Sequence, residues 1–141
     1  MPHVVVHTLA ETCAALQAAA ETQNRLTLLS PPSAAQSMGA GYFLAMVKTA
    51  QRRIPEAKCL AVLDCGTAPG LALAALRAGA KAIRLVGTPS ILRKVSEIAS
   101  QSGATVLDTT PQHVLDLRDD IAPLAAARSF LAGVMEPPQN N

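Results

Sequence analysis

The chain has 141 residues and a formal net charge of +2; half of its residues are apolar, and only 2% are aromatic. This length suggests one domain, with a core built from Ala, Leu, Val and Ile rather than from aromatic rings. The three cysteines, an odd number without metal-ligand spacing, argue against a disulfide framework and favour a cytoplasmic protein with reduced thiols. We expect no signal peptide, because the first residues lack a basic leader. No apolar stretch approaches the roughly 20 residues that span a bilayer, so no membrane association is expected.

Apolar runs of strand length alternate with helical patterns along the chain. The predicted strands are 4–7, 26–29, 59–63, 83–86 and 105–107, and the predicted helices are 10–21, 41–53, 69–78 and 90–100. A further helical region is predicted from near residue 112, where Pro123 breaks or restarts it. Residues 136–141 are predicted to be a disordered tail. Residues 1–135 are therefore expected to form a single α/β domain.

Five consecutive strand–helix units predict a parallel sheet covered by helices on both faces. We expect an open, doubly wound sheet of five strands with the order 2-1-3-4-5. A partial β/α barrel is the alternative, because local patterns do not distinguish a closed sheet from an open one.

The turns that follow the predicted strands carry helix-start signals. Thr8 and Glu11 fit a capping box, in which the Thr hydroxyl accepts the backbone N–H of Glu11 and the Glu carboxylate accepts the backbone N–H of Thr8. The turns SPPS, GTAPG, GTPS and TTPQ place Ser or Thr close to Pro, the residue preferred at the first helical position. We therefore expect several helix N-termini, which attract anions, at the carboxyl ends of the strands.

Ligands of open α/β proteins bind at this edge of the sheet, so we predict a small anionic ligand there. The loop 33–41 adds glycines before a helix, a pattern that can hold a phosphate or carboxylate through backbone N–H groups. The candidate ligand-binding residues are His7, Thr8, Ser30, Ser33, Ser37, Gly39, Gly41, Asp64, Cys65, Gly66, Thr67, Thr88 and Thr109. Residues 48–94 hold nine Lys and Arg against two acids, which could meet phosphates or simply be the solvated faces of helices.

Asp64, at the end of the third strand, is the most informative single residue. Its carboxylate could bind a cation, accept a ligand hydroxyl or act as a base, or it could cap the turn that follows. His7 could lie beside it and form an acid–base pair, and Cys65 could be a nucleophile if its thiolate were stabilised. A structural role is the alternative for each of the three. No metal site is predicted, because the remaining histidines lack partners at ligand spacing, and both the cofactor and the question of an enzymatic activity stay open.

The segment DCGTAPG, from Asp64 to Gly70, resembles the first motif of S-adenosylmethionine-dependent methyltransferases, in which DxGxxPG follows a strand. The resemblance implies cofactor binding by Asp64, Gly66 and Gly70 in a methyltransferase or a remnant of one. In that family the next strand ends in an acid that holds the ribose, whereas here Gly87 and Thr88 follow.

The chain as a whole resembles a response-regulator receiver domain, which has a flavodoxin-like fold of five strand–helix units. Asp64 stands where that family has its phosphoacceptor, and Thr88 stands where it has a hydroxyl. His7 and Thr8 replace the acidic pair that holds Mg²⁺, and the Lys expected after the fifth strand is missing. The resemblance therefore implies a degenerate receiver, a non-catalytic module that acts by protein contact rather than by phosphotransfer.

Two apolar stripes predict a homo-oligomer. The helix 71–80 has Arg77 as its only charge, and a second stripe consists of Leu124, Ala127, Leu131 and Val134. Nucleic-acid binding is not expected, because a chain with three aromatic residues lacks a base-stacking surface. The overall character is typical of a small bacterial α/β protein.

Overall fold

The computed structural model describes residues 1–135, in which there are six strands and six helices. The strands are β1 (His3–Val5), β2 (Arg25–Leu29), β3 (Lys58–Asp64), β4 (Ala82–Arg84), β5 (Thr105–Leu107) and β6 (Val114–Asp116). The helices are α1 (Leu9–Thr22), α2 (Ala34–Ser37), α3 (Ala40–Arg53), α4 (Pro69–Arg77), α5 (Pro89–Gln101) and α6 (Pro123–Met135). The predicted disordered tail, 136–141, lies outside the described residues.

All six strands form one parallel sheet with the order β5-β4-β3-β2-β1-β6. The parallel pairing confirms the α/β class, whereas the predicted order 2-1-3-4-5 is wrong. Strands β1 to β5 lie side by side in chain order, and β6 joins β1 at the opposite edge. Hydrophobic periodicity predicts each crossover helix. It does not specify on which side of the preceding strands the next strand joins the sheet.

The main helices follow the same order as the strands. α6 packs against α1, α1 against α3, α3 against α4 and α4 against α5. Right-handed crossovers between sequential neighbours place their helices on one face, so this row is expected from the strand order. Within the described residues β5 and β6 pair with one strand each, so the sheet is not closed. This arrangement matches an incomplete β/α barrel, without the order reversal of a doubly wound sheet.

The two faces of the sheet differ. Side chains pointing towards the helices form the core, and Val4, Leu26, Leu28, Leu63 and Ile83 are fully buried there. The alternate side chains lie on the opposite face, which we call the inner face. The inner face carries Val5, Leu29, Val62, Asp64, Arg84, Val114 and Asp116. Since residues of β1, β3, β4 and β6 line one cavity, the sheet curves around its inner face.

Strand β6 replaces the first part of the helical region predicted from near residue 112. Val114 and Asp116 lie on the inner face, while Leu115 is half-buried and Leu117 fully buried. This alternation has the strand period of two, but four residues are too few to outweigh the helical pattern that follows. The predicted restart at Pro123 is confirmed, because α6 begins there.

Residues 108–113, here named the crossing loop, connect β5 to β6 without a helix. Because the two strands are parallel and lie at opposite edges of the sheet, this loop must return from the carboxyl end of β5 to the amino end of β6. Thr110 and Pro111 line the same cavity as the strands, so the crossing loop lies against the inner face. No helix in the described part of the chain combines the length and apolar character needed to cross a bilayer.

Candidate functional site

Asp64 organises the turn after β3. Its carboxylate oxygen Oδ1 accepts hydrogen bonds from the backbone N–H of Ser33 at 2.9 Å and of Gly66 at 2.8 Å. Its other oxygen, Oδ2, lies 2.7 Å from Nη1 of Arg84. The backbone N–H of Asp64 donates to Oγ of Ser30 at 2.8 Å. Asp64 is only 7% exposed, and these contacts compensate for the burial of its charge.

Arg84, at the end of β4, joins this carboxylate to the crossing loop. Its Nε donates to the backbone oxygen of Thr109 at 3.2 Å, and its Nη2 donates to the Thr110 hydroxyl. A guanidinium has five N–H donors, of which these contacts and the one to Asp64 use three. The other two, one on each Nη, have no acceptor among residues 1–135. Arg84 therefore combines a structural role with unused hydrogen-bonding capacity.

A cavity of about 180 Å³ lies on the inner face beside this ion pair. It is lined by Val5, Leu29, Ser30, Pro32, Val62, Asp64, Arg84, Thr110, Pro111 and Val114. Its volume is that of about six water molecules, at roughly 30 Å³ each. Apolar walls with a few convergent polar groups are typical of small-molecule sites.

A second polar pair, His7 and Asp116, lies at the same edge of the sheet. Nε2 of His7 lies 2.7 Å from Oδ1 of Asp116, which also accepts the backbone N–H of Arg118 at 2.9 Å. The backbone N–H of His7 donates to Oε1 of Glu11 at 2.9 Å. The predicted pair of His7 with Asp64 is not formed. Strand β2 lies between β1 and β3, and each of the two residues has another charged partner.

Cys65 lies in the hydrophobic core, on the helix side of the sheet. Burial, and secondarily the neighbouring Asp64 carboxylate, raises the pKa of the Cys65 thiol to about 11. Since the thiolate is the reactive form, this environment disfavours the nucleophilic role considered from the sequence.

Several predicted site residues belong to helix starts. Oγ1 of Thr8 accepts the N–H of Glu11 at 3.1 Å, and Oγ1 of Thr88 accepts the N–H of Ile91 at 3.3 Å. Both cap their helices, as predicted. Thr67 is exposed, and the N-cap of α4 is Ala68, which makes no side-chain cap.

The loop 33–41 contains the short helix α2 and reaches the site at one point. Ser33, in the left-handed region with φ of 55°, donates to Asp64. Ser37 and Gly41 are exposed, and Gly39, with φ of 90°, precedes α3. None of these three lines the cavity. The structure thus brings Ser30, Ser33 and Gly66 to Asp64, and leaves the rest of the loop and Thr88 outside the cavity lining.

Sequence reasoning missed Arg84 and Asp116. A signal for Arg84 was present, because this charged residue interrupts the otherwise apolar segment 82–86, AIRLV. Asp116 lies in a segment that was predicted to be helical. Among residues 1–135, no three His, Cys, Asp or Glu side chains lie together in a group that could hold a metal ion.

No family model and no curated protein matches the chain. Among solved structures, a provisionally assigned fructose-1,6-biphosphate aldolase from Coccidioides immitis is similar, with a TM-score of 0.60 and 16% identity. The match covers 90% of this chain and 52% of the aldolase, so the chain spans about half the length of that protein. A family 4 carbohydrate esterase from Streptomyces lividans, solved with acetate, matches with a TM-score of 0.43 and 15% identity over 95% of this chain and 88% of that one.

The likeness to the aldolase shows the fold alone, an α/β fold with a parallel sheet. It does not confirm the resemblance to receiver domains or to methyltransferases. The sequential strand order also differs from the order 2-1-3-4-5 of flavodoxin-like proteins.

Proposed function

We propose that the chain binds a small anion, a short carboxylate, in the cavity at the carboxyl ends of its strands. Its main support is that Arg84 lines this cavity and that two of its N–H groups donate to no acceptor among residues 1–135. Guanidinium groups bind planar carboxylates through pairs of such donors.

The surroundings of Arg84 favour a monoanion with an apolar body. Asp64 balances the charge of Arg84 at 2.7 Å, so the adjacent carboxylate would repel a dianion such as phosphate more strongly than a monoanion. The remaining walls are mainly Val, Leu and Pro side chains, which stabilise a hydrocarbon chain by removing it from water. A volume of about 180 Å³ suits a ligand of a few carbons.

The position of the cavity agrees with this function, because β/α barrels and open α/β sheets hold their ligands at the carboxyl ends of the strands. We do not extend the activity of the aldolase to this chain. The chain spans about half of that protein, and its cavity is small for a sugar bisphosphate.

Self-association and the receiver-like interaction module remain predictions. The apolar residues that motivated them have partners within the chain. In α4, Ala72 and Ala75 are fully buried, and in α6, Ala127 and Leu131 are fully buried. These four residues therefore belong to the core of the chain.

A thermal-shift series with matched ligands tests the binding proposal. Butyrate, acetate, phosphate and uncharged butyramide would be titrated against the native protein, Arg84→Gln and the control Arg77→Gln, whose arginine is exposed on α4. We expect butyrate to raise Tm in the native protein and the control, with affinity at least about tenfold weaker in Arg84→Gln, because charged hydrogen bonds contribute about 1.5–3 kcal/mol. Equal shifts with butyramide, or a butyrate affinity unchanged in Arg84→Gln, would contradict the proposal.

A further inference from the structure

We propose that Pro111, on the crossing loop, limits the chain length of the carboxylate that the cavity accepts. Its ring separates the cavity beside Arg84 from a larger groove that lies next to it. The inference rests on the proposed function and deepens it, because it assigns the residue that sets the specificity of that site.

The groove is the larger of the two spaces. Its volume is about 700 Å³, whereas that of the cavity is about 180 Å³. Its walls are mainly apolar and include Pro2, Phe130 and Gly133. A hydrocarbon chain that entered the groove would therefore be removed from water and stabilised there.

Pro111 belongs to the walls of both spaces. It lines the cavity together with Thr110, and it lines the groove together with Gln112 and His113. Among residues 1–135 it is the one residue that lines both. The crossing loop therefore passes from the cavity to the groove at Pro111, whose side chain lies between them.

Strand β1 shows that the two spaces follow one another along the inner face. His3 and Val5 are two residues apart on this strand, so they lie on the same face at a separation of about 6–7 Å. Val5 lines the cavity, and His3 lines the groove. His3 is also in register with Val114 on β6, which lines the cavity. The groove therefore begins at the level where the cavity ends.

The register of the strands gives the direction of a bound carboxylate. Arg84 and Asp64 are in register at the carboxyl ends of β4 and β3. Val62 lies two residues before Asp64 on the same face and is in register with Leu29 on β2. The apolar floor of the cavity therefore continues from the ion pair towards the amino ends of the strands. A ligand whose carboxylate binds Arg84 directs its hydrocarbon chain along this floor, towards Pro111 and the groove.

The volume of the cavity sets the chain length at which Pro111 matters. A space of about 180 Å³ holds about six water-sized groups, which is roughly the size of butyrate. A longer chain has to pass Pro111 to reach the groove. Among residues 1–135, no hydrogen bond involves Pro111. Removing its ring should therefore open the passage without leaving a polar group unpaired.

The test is the affinity of butyrate, hexanoate and octanoate, measured by calorimetry for the native protein, Pro111→Ala and two controls. Pro111→Leu keeps an apolar side chain of similar bulk, and Pro55→Ala removes a proline that lines neither space. We expect the native protein and both controls to bind butyrate more tightly than octanoate. In Pro111→Ala this preference should reverse, with each added methylene raising the affinity by up to about fourfold as it leaves water. Butyrate affinity should stay near the native value in every variant, because Arg84 is unchanged.

The possible results separate the role of Pro111 from the binding function on which it rests. The role of Pro111 would be overturned if the native protein bound octanoate as tightly as butyrate, or if Pro111→Ala kept the native preference. A reversal in Pro111→Leu as well would assign the limit to the stiffness of the crossing loop instead of to the bulk of the ring, and would also overturn it. In each of these cases the binding of butyrate at Arg84 stands. No binding of butyrate by the native protein, or an unchanged butyrate affinity in Arg84→Gln, would overturn both.

Discussion

Two polar pairs lie at the carboxyl edge of the sheet, first Asp64 with Arg84 and second Asp116 with His7. Both have a contact distance of 2.7 Å, but their surroundings differ. The Asp64 side chain is 11% exposed and also accepts two backbone N–H groups, whereas the Asp116 side chain is 52% exposed. The first pair stabilises the turn after β3 and lines the cavity. The second pair lies closer to the surface, and Nδ1 of His7 has no hydrogen-bond partner among residues 1–135. Burial, more than contact distance, therefore distinguishes the pair beside the cavity from the pair that stays accessible to solvent.

The largest expected effect comes from neutralising the buried carboxylate. Asp64→Asn leaves Arg84 without its counter-charge and weakens the acceptor for Ser33 and Gly66. We expect a loss of about 2–3 kcal/mol in the free energy of unfolding, at the low end for a broken buried pair because Arg84 is partly exposed. Asp116→Asn is the matched control and should cost less than about 1 kcal/mol, as an exposed pair does. Urea denaturation measures both, and equal losses would show that burial does not distinguish the pairs.

A smaller effect is expected from the glycine that closes the Asp64 turn. Gly66 has φ of 57°, and a Cβ there would lie 2.7 Å from Oγ of Ser33. Gly66→Ala should cost about 2 kcal/mol, combining the left-handed backbone penalty with this clash. Combining it with Ser33→Ala should reduce the cost to about 1 kcal/mol, because the hydroxyl is gone. Additive losses in the double-mutant cycle would mean that the two side chains do not meet.

The smallest effect concerns a third pair, Glu21 and Arg128, which joins α1 to α6 through two contacts at 2.6 and 2.7 Å. Hydrogen bonding by Arg128 lowers the pKa of Glu21 from 4.5 to about 2. A carboxylate with a lowered pKa in the folded state stabilises the fold above its unfolded value and loses that contribution as pH falls through the folded value. The Tm difference between the native protein and Glu21→Gln should therefore be small at pH 5 and vanish as pH falls towards 2. A difference that persists at pH 2 would contradict the assignment.

The sequence predicted local structure better than the arrangement of the strands. Each of the five predicted strands overlaps an observed strand, and the fifth, 105–107, has the same bounds, because alternating apolar and helical patterns are local signals. The strand order could not be predicted, since it depends on packing between elements far apart in the chain.

The candidate site was predicted in part. Asp64, Ser30, Ser33 and Gly66 lie together as strand-end chemistry suggests, whereas the partners Arg84 and Asp116 were missed. Arg84 meets Asp64 because β4 lies beside β3, and Asp116 meets His7 because β6 lies beside β1. Recognising them required the sheet order that the local patterns do not contain.

The most direct test of the anion site is the butyrate affinity of the native protein and of Arg84→Gln, measured side by side by calorimetry at equal ionic strength. We expect saturable binding of butyrate by the native protein, binding at least about tenfold weaker in Arg84→Gln, and no binding of butyramide by either protein. Identical butyrate affinities in the two proteins, or no binding by the native protein, would contradict the assignment of this cavity as an anion site.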